Sequence, residues 1–386
     1  MAISDTVTLY ASIGERLTRY DVDVEAASLH GRETFVLPEG LQYLWRHATK
    51  PFLYAACSDG RPGFKGSRHV ACALKMDVNG VLSLHSGPLT LPTRPVHIAT
   101  DRDSRYLLIT YPDPSRVAVH RINDDCSIGA EFPHSTLPQL AKTAHQALPT
   151  PSNDRIVLPL RGNHATTGHA EDPGALAIFK WHDGVMTHEQ TLAPDGGHGF
   201  GPRHVDFHPT KPWMYMSIER ENEIAFFEVG SKVMGPQYRS TTLERPEAEK
   251  PRQLVGAIHV HPSGRTVYVS NRADGTVNFG RHMVFNGGEN SIAVFAIEED
   301  SGKPTRLQNS DSHGMHVRTF SVDPSGRLLV AANMTTRDVL EDGVVRAVPG
   351  GLSCFRIAND GRLDFVRKYD ADVAEDHMFW SGFVGL

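Results

Sequence analysis

Apolar and polar positions along this chain alternate in short runs separated by turn-forming residues. Arg203-His204-Val205-Asp206-Phe207, Met214-Tyr215-Met216-Ser217-Ile218, Ile224-Ala225-Phe226-Phe227-Glu228-Val229 and Ile292-Ala293-Val294-Phe295-Ala296-Ile297 are such runs. Runs of this length between Pro, Gly, Asp, Asn and Ser predict short β-strands joined by tight turns. No segment sustains the 3.6-residue period of a long amphipathic helix. A phrase of turn residues, a basic residue and a β-rich run recurs: Ala48–Tyr54, Asp103–Leu108, Ser152–Val157, His208–Tyr215, His261–Tyr268 and Asp323–Val330. The interval is roughly 50–60 residues, and each interval holds a strand before the phrase, one after it and two more. Four short strands per repeat of that length predict the blade of a β-propeller.

Six such units start near residues 43, 94, 143, 202, 254 and 315. Thr8-Leu9-Tyr10-Ala11-Ser12 reads as a second strand lacking a first. Met378-Phe379-Trp380-Ser381-Gly382-Phe383-Val384 reads as a first strand lacking its followers. Joined, they predict a seventh blade shared by about residues 5–42 and 373–386, which closes the ring and removes its exposed edges. The expectation is all-β: one seven-bladed propeller domain over 1–386, with four antiparallel strands per blade.

Composition narrows the function. The 386 residues carry 39 Lys+Arg against 45 Asp+Glu, a net charge of −6. That balance lacks the basic footprint of a nucleic-acid binder. No apolar stretch approaches a membrane span, and the first residues lack the pattern of a signal peptide. Cys57, Cys72, Cys126 and Cys354 are scattered, without a CxxC pair, which fits a reducing cytoplasm. The 21 histidines invite a metal hypothesis, since His204 and His208, and His259 and His261, each share a strand face. His208 and His261, however, stand where the repeat has Asp323, a side chain suited to hydrogen-bonding a turn. The expectation is therefore no metal and no cofactor, with monomer or small homo-oligomer left open.

In a four-stranded blade, residues just before the first strand or just after the second ring one mouth of the central channel. His145, Arg203 and Arg318 occupy the former position; Glu219 and Arg272 occupy the latter. Arginines suit planar carboxylates and developing oxyanions, and a Glu or His beside them can move a proton. Each also has a plainer reading: a buried strand histidine, inter-blade ion pairs, a solvated Glu219-Arg220-Glu221 loop. Four connections between second and third strands are long, at 57–70, 161–174, 272–290 and 333–350. All should emerge at that same mouth and form an elaborated rim. Arg68, His169, Arg281 and His282 are its candidate substrate contacts, beside Arg318, His204 and His259.

Gly199-Phe200-Gly201-Pro202-Arg203-His204-Val205-Asp206-Phe207-His208-Pro209 is similar to the GAGPRH…FHP motif of the lactonase family of seven-bladed propellers. The segments from His259 to Arg272 and from Arg318 to Gly326 are similar to that family's other motifs. The family includes 6-phosphogluconolactonase-type enzymes and 3-carboxy-cis,cis-muconate lactonizing enzyme. The resemblance implies catalytic roles for His145, Glu219, Arg203 and Arg272. It implies a small lactone or carboxylate substrate, hydrolysed through Glu/His acid–base chemistry with arginines on the oxyanion. Two alternatives stay open: a cycloisomerase that forms or rearranges a lactone without water, and a non-catalytic scaffold.

Overall fold

The computed structural model describes residues 7–132, 142–248, 252–373 and 376–384. Seven sheets each run outward through four antiparallel strands, six of them in chain order, the first blade adding the two-residue strand Leu89–Thr90. The fourth, for example, is built from Pro202–Phe207, Trp213–Ile218, Glu223–Val229 and Val233–Thr241. The seventh joins Trp380–Val384 to Val7–Ile13, with Ser12 opposite Trp380 and Thr8 opposite Val384, then Arg16–Asp23 and Ser28–Val36. Chain ends thus close the ring as expected; residues 5–6, 374–375, 385 and 386 of that predicted blade lie outside the described residues. Among the described residues the helical content is one 3-10 segment, Pro194–Gly197, and no helix is long and apolar enough to cross a membrane.

The recurring phrase is a blade-to-blade fastener. In the fourth blade, His208 Nδ1 accepts from the N–H groups of Thr210 (3.2 Å) and Lys211 (3.0 Å), the expected turn role. Its Nε2 then donates to the Gly264 carbonyl of the next blade at 3.0 Å. His261 repeats this with Ser263 N–H and the Gly326 carbonyl, while Asp323 caps its own turn through Arg327 and Leu328 N–H. Gly264 has φ +72°, and a Cβ there would sit 2.3 Å from His208 Nε2, so the partner position needs glycine twice over. A second fastener was not visible in the repeat. Second-strand tyrosines reach the outer turn of the following blade: Tyr10 to Gly80 O, Tyr54 to Cys126 O (3.1 Å), Tyr215 to Gly302 O (2.7 Å) and Tyr268 to Gly361 O (2.9 Å).

First-strand side chains plug the axis. Tyr43 packs on His97 (4.2 Å between ring centres), His97 on His204 (5.7 Å) and His204 on His145 (5.0 Å). This stack lies between a cavity of about 1030 Å³ at one mouth and a pocket of about 380 Å³ at the other. His97 is fully buried, and neither ring nitrogen has a hydrogen-bond partner. Burial, reinforced by Arg203, pushes its pKa from 6.5 down to about 3.

Two outcomes follow from this packing. Tyr215→Phe leaves the buried Gly302 carbonyl unpaired and should cost about 1–3 kcal/mol in urea unfolding. His97 is neutral when folded and takes up a proton when unfolded below about pH 6.5. Its contribution to stability is therefore present above that pH and declines as pH falls toward 3. His97→Phe should lessen the loss of stability on acidification by about 1.4 kcal/mol per pH unit, read from urea midpoints between pH 6 and 4.5.

Candidate active site

The ends of neighbouring strands bring one carboxylate among three guanidinium groups. Glu219 directly follows the second strand of the fourth blade, and its carbonyl accepts from Val255 N–H of the fifth at 3.1 Å. Its side chain is 2% exposed. Oε1 accepts from Arg161 Nη1 at 2.7 Å; Oε2 lies 2.8 Å from Arg203 Nε and 2.6 Å from Arg272 Nη2. Burial alone would raise the Glu219 pKa, but Arg272, Arg161 and Arg203 outweigh it and hold the carboxyl well below its usual range. Glu219 is thus a fixed anion with both oxygens engaged. Arg203 is equally buried, its pKa lowered to about 9 by desolvation and by repulsion from Arg272, and its Nη1 has no partner.

His145 borders the same cavity, its backbone N–H bonded to Pro159 O at 3.1 Å. Burial, then repulsion from Arg203, drives its pKa well below 6.5, so the imidazole is neutral. Its Nδ1 is sealed in without a partner, which leaves Nε2 as the nitrogen serving the cavity. Arg318 also borders the cavity, stacked on Phe379 with its guanidinium carbon 3.6 Å from the ring centre. Arg94 binds Gln42 Oε1 at 2.9 Å, and burial lowers its pKa to about 10. Neither Arg94 nor Arg318 has a carboxylate partner among the described residues. Seven Arg and Lys side chains line the cavity against four carboxylates, in a chain whose net charge is −6.

His145, Glu219, Arg272 and Arg318 therefore meet at one mouth. Arg203 and His204 do not line the cavity: Arg203 lies behind Glu219, and His204 belongs to the axial stack. His259 is a correction. It stands six residues along its strand from Gln253, a rise of about 20 Å, and lines the pocket at the opposite mouth. All four long connections reach the cavity, through Arg61, His169, Asp274 and Met334 among others. Yet Arg281 and His282 sit in a hairpin that projects from the rim. Thr276–Phe279 and His282–Phe285 join Arg337–Glu341 and Val344–Val348 in a four-stranded sheet, where His282 Nδ1 meets Asp338 Oδ2 at 3.0 Å. Arg68 is spent on Glu39 and Asp59. Arg161 was missed, although it directly follows a second strand, Arg155–Leu160, as Glu219 follows its own. Arg94, Asp274 and His316 were missed as well.

Among the described residues, no three His, Cys, Asp or Glu side chains are grouped to hold a metal ion. The chain is 25% identical over 332 residues to a 6-phosphogluconolactonase of Bacillus subtilis, covering 84% of this chain and 86% of that one. It is 26% identical over 296 residues to a 6-phosphogluconolactonase of Cronobacter sakazakii, covering 76% and 78%. Among solved structures, it is similar to a putative 6-phosphogluconolactonase of Bacteroides uniformis (TM-score 0.73, 18% identity, 99% and 100% covered). It is also similar to a periplasmic gluconolactonase of Pseudomonas aeruginosa (TM-score 0.72, 18% identity, 98% and 99% covered). Those folds agree with the seven sheets described above. Residues 6–340 match the family model described as lactonase, 7-bladed beta-propeller, and the chain belongs to that family.

Proposed function

We propose that this protein hydrolyses a small lactone bearing an anionic group. The observation that carries this reading is a neutral, buried His145 bordering a cation-rich cavity whose one deeply buried carboxylate is locked by three arginines. Relatives named 6-phosphogluconolactonase support the reaction class. Arg94 and Arg318, which have no carboxylate partner among the described residues, receive the substrate's anionic group.

His145 Nε2 takes a proton from water as that water attacks the ring carbonyl. Negative charge then grows on the carbonyl oxygen and is met by Arg272 and Arg161, which Glu219 has already fixed in place. Such preorganised donors act more strongly at a buried floor than in water. The protonated His145 returns its proton to the departing ring oxygen, and the product is the open hydroxy acid. Glu219 carries no proton in this scheme, because its arginines keep it ionised.

The test is turnover of a panel of aldonolactones and carboxylated lactones in ¹⁸O-labelled water. Hydrolysis places solvent oxygen in the product carboxylate; a lactonizing isomerisation would not, and no turnover at all would defeat the reading. On the best substrate, His145→Ala should lower kcat by roughly 10²–10⁴-fold. Because the pKa of His145 is depressed, kcat should stay level as pH falls through 6.5 and drop only at lower pH, where the imidazole is protonated.

A further inference from the structure

The guanidinium of Arg272 has three fixed contacts. Nε donates to Val255 O at 3.2 Å, Nη2 to Glu219 Oε2 at 2.6 Å, and Nη1 lies 3.2 Å from His316 Nε2. An arginine has five N–H bonds and no acceptor, so two remain uncommitted, one on each terminal nitrogen. For the same reason His316 Nε2 must be the acceptor, and the ring proton must sit on Nδ1. That nitrogen lies 3.2 Å from Asp274 Oδ2, in a bent contact, and has no other polar partner among the described residues.

The pair is built in rather than incidental. His316 is 4% exposed and Asp274 is 9% exposed, and both border the cavity. His316 holds a left-handed backbone, φ +59°, a conformation that a non-glycine residue adopts only where its surroundings hold it there. Its N–H is fastened to Asn290 Oδ1 at 2.8 Å, and the same oxygen accepts from Ala273 N–H at 3.0 Å. Asn290 therefore locks the start of the fifth-blade connection, with Arg272 and Asp274, to the sixth-blade strand carrying His316. Burial and the nearby Arg272 keep His316 neutral, its pKa lowered to about 4, while Asp274 is ionised with a pKa of about 2.

We propose that Asp274 and His316 are positioning residues that set the roll of the Arg272 guanidinium, and so aim its two free N–H bonds at the substrate. Asp274 selects the Nδ1–H tautomer; His316 in that tautomer presents a lone pair to Arg272. The assignment rests on the lactonase reading above, in which Arg272 meets the developing oxyanion. The logic is that of a carboxylate orienting an imidazole that in turn orients a charged group.

Asp274→Asn turns the contact round. The amide no longer holds the ring proton on Nδ1 by charge; with its N–H donating to Nδ1 the proton sits on Nε2, where it faces the Arg272 N–H. On a lactone that the wild type hydrolyses, D274N should lower kcat roughly 10- to 100-fold, with less change in KM. His316→Gln supplies an acceptor that has no tautomer to choose. Adding H316Q to D274N should therefore restore kcat toward that of H316Q alone, whereas His316→Leu should not restore it. A double variant no better than D274N, or a D274N enzyme with wild-type kcat, overturns the proposal. The tautomer can also be read without turnover, by imidazole ¹⁵N NMR of His316 in the wild-type protein. A proton on Nδ1 is expected; a proton on Nε2 overturns the proposal whether or not any lactone is cleaved. A correct tautomer in a protein that hydrolyses no lactone would sink the functional reading instead.

Discussion

A single buried carboxylate cannot neutralise three guanidinium groups, and the cation-rich mouth of this propeller depends on that imbalance. Arg161, Arg203 and Arg272 come from three successive blades and converge on Glu219. The cluster serves two purposes at once. It ties the inner ends of the blades together where the ring surrounds open space, and it leaves an excess of positive charge beneath the cavity floor. Buried ion pairs seldom add much net stability, because desolvation offsets their attraction. Here the return is a fixed field. Arginines already held in place need no reorganisation when a substrate carbonyl begins to gain charge.

The ring supplies the rigidity that this field requires. Imidazoles and tyrosine hydroxyls fasten four of the blades to their neighbours, and a stack of Tyr43, His97, His204 and His145 rings blocks the axis beneath the site. Water is thereby kept from the underside of Glu219 and Arg203. The stack also explains why His145 is neutral: it is buried against other rings and beside Arg203, and these outweigh the opposite pull of Glu219. At the rim, two hairpins from adjacent blades pair into a sheet of their own, which extends the wall of the mouth without placing Arg281 or His282 in it.

Much of this was legible in the chain, because a propeller repeats its grammar. The Pro/Gly/Asp turns, the two-residue alternation and the unmatched terminal strands gave seven blades and the closure. The rule that strand ends ring one mouth placed His145, Glu219, Arg272 and Arg318 together. The same rule applied to Leu160 would have found Arg161. What the chain concealed depends on depth along a strand and on contacts between blades. His259 shares a strand with the residues that border the site but stands at its far end. Arg203 points behind Glu219 although its partner Glu219 borders the cavity. Asp274 and His316 lie 42 positions apart in sequence and meet only because their blades are adjacent. The histidine surplus has a similar resolution: His208 and His261 are turn caps, and His97 and His204 fill the axis.

The role of Glu219 is the claim on which the account stands, and equilibrium unfolding of Glu219→Gln tests it most directly. If the carboxylate holds three arginines, of which Arg203 and Arg272 are buried, removing its charge leaves them uncompensated. The variant should then lose about 3–5 kcal/mol of stability in urea at pH 7, together with its activity. A variant as stable as the wild type that loses only kcat would contradict the account, and would return Glu219 to the part of a proton carrier.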